Sequence, residues 1–176
     1  GGDFLYSDIE IRTMLKDIEI ARRLGADGVV FGCLTADGEV DLTSMQILME
    51  ASKGLSVTFH RAFDVCRNPQ KALEEIIELG CNRILTSGQQ PTAEQGIGLL
   101  KELQGLAAGR ITLLADCGVN ENNIARIAAE TGINEFHFSA RESIQSEMKF
   151  RNEVVSMGGT VHINEYERNV TSVRRV

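Results

Sequence analysis

The chain has 176 residues, 43% of them hydrophobic and 24% charged, with a formal net charge of −7. That is enough for one domain with a substantial core, and the acidic balance speaks against nucleic acid or an anionic membrane as the main partner. No apolar run nears the roughly 20 residues of a membrane-spanning helix, no signal-peptide pattern opens the chain, and its four cysteines lie apart without a C-x-x-C spacing, which predicts reduced thiols in a cytosolic protein.

Residues 1–6 read as a loop or the end of a strand. Ser7 and Glu10 form a capping box, and Ile11, Met14, Leu15 and Ile18 follow at helical spacing until Gly25. Gly28 to Gly32 is a buried strand that ends at Cys33, and Leu42 to Lys53 is a second helix with Met45, Leu48 and Met49 as its apolar stripe. Val57-Thr58-Phe59 is the next strand, because β-branched and aromatic residues favour that conformation. It runs straight into His60, Arg61 and Asp64. Asn68-Pro69 then caps a third helix with proline at its first position, closed by Gly80. Arg83 to Ser87 is a strand ending in hydroxyls. Thr92 and Gln95 make another capping box for a helix running to about Ala107. Ile111 to Ala115 is a strand followed by Asp116-Cys117-Gly118, Asn120 caps the helix holding Ile124 and Ile127, and Glu135 to Ser139 is a fifth strand.

Leu24-Gly25-Ala26-Asp27, Leu79-Gly80-Cys81-Asn82 and Thr131-Gly132-Ile133-Asn134 each close a helix just before a strand. A strand, helix and glycine stop repeated about every 25–30 residues is the rhythm of a (β/α)₈ barrel of about 250 residues. The prediction is an α/β fold, a TIM (β/α)₈-type barrel present as a partial barrel of about five parallel β/α units over residues 1–160, with a C-terminal tail over 161–176. The apolar strands further predict a sheet covered on both faces.

Parallel strands share one carboxyl end, where α/β folds carry their sites. That end collects Cys33, His60, Arg61, Asp64, Cys66, Thr86, Ser87, Asp116, Cys117, Ser139 and Arg141. Three readings compete for it. In an enzyme, His60 is general acid/base, Asp64 orients it and Arg61 binds an anion, with Thr86, Ser87, Ser139 and Arg141 lining the ligand pocket. In a soft-metal site, the thiolates of Cys33, Cys66 and Cys117 take Cu(I), whereas Cys81 lies at the opposite, amino end. In a phosphate cup, Gly118 and the turn Ser139-Ala140-Arg141 offer backbone N–H groups, although the Asp116 carboxylate opposes an anion there. The bland alternative is that these groups serve only packing and ion pairing.

Several blocks in order carry a family likeness. Gly1 to Asp8, Gly25 to Gly32, Val57 to Asp64, Leu85-Thr86-Ser87-Gly88, Phe136 to Arg141 and Met148-Lys149-Phe150-Arg151-Asn152 together resemble the CutC copper-homeostasis family, the last block its animal members most. The resemblance implies a barrel fold, copper homeostasis through Cu(I) binding, a cytoplasmic location with a nuclear one as an alternative, and homo-oligomers. It names a copper ion or a small molecule as partner. His60, Arg61, Asp64, Thr86, Ser87, Ser139 and Arg141 match the family pattern, while Ala115-Asp116-Cys117-Gly118 replaces its glycine-rich turn. An eight-unit barrel has about three more units than the five visible here, so the likeness also implies that N-terminal units are absent.

Overall fold

The computed structural model describes residues 2–152, 154, 155, 157, 158, 160, 161 and 163–176. It divides into two compact units, Gly1–Phe138 and Ser139–Val176.

The first unit alternates helix and strand. Helix α1 (Asp8–Arg23) leads to β1 (Gly28–Phe31), α2 (Leu42–Ala51) to β2 (Ser56–Phe59), and α3 (Pro69–Glu78) to β3 (Arg83–Thr86). Helix α4 (Ile97–Ala107) precedes β4 (Thr112–Ala115), and α5 (Ile124–Thr131) precedes β5 (Glu135–Phe136). The start signals act as read. Ser7 and Glu10 close a reciprocal capping box, and Asn68 Oδ1 accepts from Lys71 N at 3.0 Å ahead of Pro69. One start differs. Thr92 and Gln95 do bond each other, but residues 91–96 stay a turn and α4 begins at Ile97, because Ala93 N is drawn to Cys117 O at 2.9 Å.

All five strands are parallel and ordered β1-β2-β3-β4-β5. Their side chains alternate between two environments. Val57, Phe59, Ile84, Thr86, Leu113 and Ala115 are buried, on the side where α1 to α5 contribute Ile18, Leu48, Leu73, Leu100 and Ile127. The other row, Thr58, Arg83, Leu85, Thr112 and Leu114, is half-buried, and Val30 is 61% exposed. The buried row packs against the helices and the other row is left half-buried to exposed, so among the described residues the first unit does not show the two-sided cover that the apolar strands predict. The open row still carries the apolar Leu85 and Leu114, both half-buried. Arg83 spans this row, bonding Glu135 at 2.7 Å and Ser56 at 3.2 Å.

The second unit contains an antiparallel pair, β6 (Arg141–Gln145) with β7 (Glu167–Thr171), in register Arg141↔Thr171. Ser172 N continues the pairing to Ala140 O at 2.8 Å. Arg151 lies over the Tyr166 ring, 5.1 Å from its centroid.

Candidate functional site at the carboxyl ends of the strands

Strand β2 ends at Phe59, and the backbone then tightens into a 3-10 turn over Arg61–Val65 with His60 as its N-cap. The turn's three-residue pitch brings residues 61 and 64 to one side. Arg61 Nε therefore donates to Asp64 Oδ2 at 2.7 Å, and Arg61 Nη2 to Ser87 Oγ at 3.2 Å.

Asp64 is the hub of this end. Its side chain is only 6% exposed, and its two oxygens accept from Thr86 Oγ1 at 2.6 Å, Ser87 N at 3.0 and 3.2 Å, Ser87 Oγ at 3.1 Å and Gln89 N at 3.2 Å. A buried carboxylate needs that many donors to replace water. The loop 87–90 can wrap it because Gly88 and Gln89 both adopt positive φ, 70° and 55°. Gly96 lets the loop's other limb close in, since a Cβ there would lie 1.9 Å from Ser87 O. Gln89 ties the loop back to the 3-10 turn, its Nε2 donating to the Cys66 and Phe63 carbonyls.

His60 stands apart from this network. Its Nδ1 accepts from Ala62 N at 3.3 Å, its ring packs 4.8 Å from the Phe4 ring, and a Cβ on Gly32 would come within 2.9 Å of Nδ1. No hydrogen bond joins it to Asp64, so Asp64 orients Arg61 rather than His60. Burial lowers the His60 pKa below the ordinary imidazole value. The ring is therefore neutral at pH 7, with Nδ1 the acceptor and Nε2 carrying the proton. Burial works against the Arg61 cation, but the Asp64 carboxylate outweighs it and raises its pKa.

The structure thus brings together Arg61, Asp64, Thr86 and Ser87. Thr86 and Ser87 are fully buried and hold the carboxylate rather than line a pocket. Ser139 and Arg141 belong to the second unit, and both are exposed. Gln89, Gly88, Gly96 and Phe4 were missed. The Ser87-Gly88 pair was the one sequence sign of a tight turn there.

The thiols are all free. Burial, with Asp41 nearby, pushes Cys33 up to about 12. Burial pushes Cys66 up to about 11. Cys117 sits at φ 71°, and burial together with Asp116 raises its pKa while Arg61 pulls it back. Among the described residues no group of three or more His, Cys, Asp or Glu side chains is placed to hold a metal ion. Burial favours the protonated thiol at Cys33, Cys66 and Cys117, and the three are not gathered into such a group among the described residues. Cys33 and Cys66 are packed into the hydrophobic core, whereas Cys117 is only half-buried.

The sequence matches the CutC family over residues 1–142. It is 80% identical to a CutC family protein of Bacteroides thetaiotaomicron over all 176 of its residues and 71% of that protein. This chain belongs to the CutC family. A CutC family protein of Parabacteroides distasonis is 56% identical over the whole chain. These relatives are bacterial. Among solved structures, CutC from Streptococcus agalactiae, named for copper homeostasis, superposes with a TM-score of 0.75 at 35% identity, covering 78% of this chain and 67% of that one. An aldolase, QR15, superposes with a TM-score of 0.60 at 20% identity, a likeness of fold alone. Both agree with parallel β/α units of TIM-barrel type. Among the described residues no helix is long and apolar enough to cross a membrane.

Proposed function

We propose that this chain serves copper homeostasis by binding Cu(I) in the cytoplasm as a homo-oligomer. What supports the reading is its family, together with a 35% identical relative whose name assigns it to copper homeostasis. Four free cysteines and no disulfide-forming pattern suit a reducing compartment. The donors must be fewer than the strand-end trio, because those thiols do not gather. Soft sulfur ligands are the ones that select Cu(I). The test is anaerobic competition against a colorimetric Cu(I) chelator. The chain is expected to withdraw copper in a fixed ratio, and full retention of copper by the chelator would defeat the reading.

A second reading is an enzyme or binding protein for a small anion, and Arg61 favours it. Its hydrogen bonds use Nε and Nη2, so Nη1 donates to no protein group among the described residues, and the side chain is 39% exposed. A guanidinium fixed by a buried carboxylate is pre-organised for a phosphate or carboxylate. A ligand that binds only the folded state raises the melting temperature. Inorganic phosphate should do so for the wild type and not for Arg61→Met. No shift for either would count against it.

A further inference from the structure

Cys81 lies at the amino end of β3, away from every group discussed above. Its side chain is buried, 5% exposed, and its Sγ stands 3.7 Å from Sδ of Met49. Met49 comes from the last turn of α2, 32 residues earlier in the chain. The β/α order explains the meeting, because α2 ends beside the starts of β2 and β3. We propose that Met49 and Cys81 form a two-sulfur site for a soft monovalent cation, and that Cu(I), if the copper reading holds, is taken there.

Three observations carry this beyond a packing contact. First, thiol and thioether are the donor pair that soft Cu(I) prefers over hard cations. With metal–sulfur bonds of about 2.3 Å, as for zinc thiolates, sulfurs 3.7 Å apart already bracket one ion in a bent arrangement. Met49 has three rotatable side-chain bonds with which to open it. Second, Met49 forms part of the wall of a cavity of about 550 Å³, open to solvent, which gives an entry path to an otherwise buried sulfur. Third, that cavity attracts cations. Ser52 and Leu79, the C-caps of α2 and α3, both line it with Glu50 and Glu78. The α2 end is offset, because Ala51 O accepts from Arg22 and Glu50 pairs with Lys53 at 2.7 Å, so the negative side of the cavity is Glu78 with the C-terminal end of α3.

Binding exchanges one bond for another without electron transfer. The Cys81 S–H bond breaks, an S–Cu(I) bond forms, and the proton leaves through the cavity to water. Burial holds this thiol up to about 12, so it resists oxidants until a metal displaces its proton.

The test uses the whole chain, anaerobically, with Cu(I) supplied in a chelator of known affinity. Four proteins are compared: wild type, Met49→Leu, Cys81→Ala, and the triple variant Cys33→Ser/Cys66→Ser/Cys117→Ser. Wild type and triple variant should hold copper alike, while Met49→Leu and Cys81→Ala should each lose about tenfold or more in affinity. Met49→Leu conserves volume, so an unchanged melting temperature will show that its loss is one of ligation. Equal copper affinity in all four would overturn the site and leave the copper reading standing. No copper taken by any would overturn both.

Discussion

Asp64→Ala is the perturbation with the largest predicted consequence. The substitution leaves the Thr86 hydroxyl and the Ser87 and Gln89 amides without their acceptor, and Thr86 and Ser87 are fully buried. A buried donor stripped of its partner costs about 1–3 kcal/mol. Two losses are discounted. The Ser87 hydroxyl can turn to Gln90 O, and Arg61 is exposed enough to be rehydrated. Water entering the vacated space also softens the rest, so the expected loss is about 3–4 kcal/mol from a domain total of roughly 5–15. At about 2–4 °C per kcal/mol for a chain of this size, the melting temperature should fall by roughly 10 °C. Urea unfolding followed by circular dichroism, with Arg61→Met as the control, measures it. Arg61→Met should cost no more than about 1 kcal/mol. If Asp64→Ala stays within about 1 kcal/mol of wild type, the carboxylate does not hold the loop and the account of this end is wrong.

Gly96→Ala should destabilise by about 2–3 kcal/mol, because its Cβ would meet Ser87 O at 1.9 Å. Gly98→Ala, two residues on in α4 with nothing within 4 Å, should instead stabilise by about 0.5–1 kcal/mol, and thermal melts of the pair with the same sign would refute the assignment. Burial keeps His60 neutral, with its folded pKa below the usual 6.5, so the unfolded chain gains its proton first and His60-linked stability is lost as pH falls through 6.5 toward the folded value. His60→Gln should flatten the wild-type decline in stability across that window in pH-dependent urea titrations, and parallel profiles would contradict it. The sheet ends at β1 and β5, and Val30 is 61% exposed, so sedimentation at roughly tens of micromolar should show self-association. Val30→Lys should weaken it, and a monomeric wild type would count against the proposed oligomer.

The strand order was legible because each unit repeats the same local grammar. A cap such as Ser7 or Asn68 starts a helix, a glycine such as Gly25 or Gly80 stops it, and an apolar run follows. What escaped the sequence depends on contacts between units. Residues 61 and 64 are visibly three apart, but nothing local says that the 87–90 loop folds over Asp64 and leaves His60 to Phe4. Met49 and Cys81 each read as ordinary core residues until α2 and β3 are placed side by side. The β6–β7 pair was hidden because Glu167-Arg168-Asn169-Val170-Thr171 has no apolar alternation. Its partner β6 has only Ile144 half-buried.

X-ray absorption at the copper edge of the anaerobically Cu(I)-loaded chain tests the central claim most directly. The account predicts copper retained after desalting, with a sulfur shell at about 2.3 Å that is diminished in Met49→Leu. Copper lost on desalting, or a shell of nitrogen and oxygen alone, would contradict it.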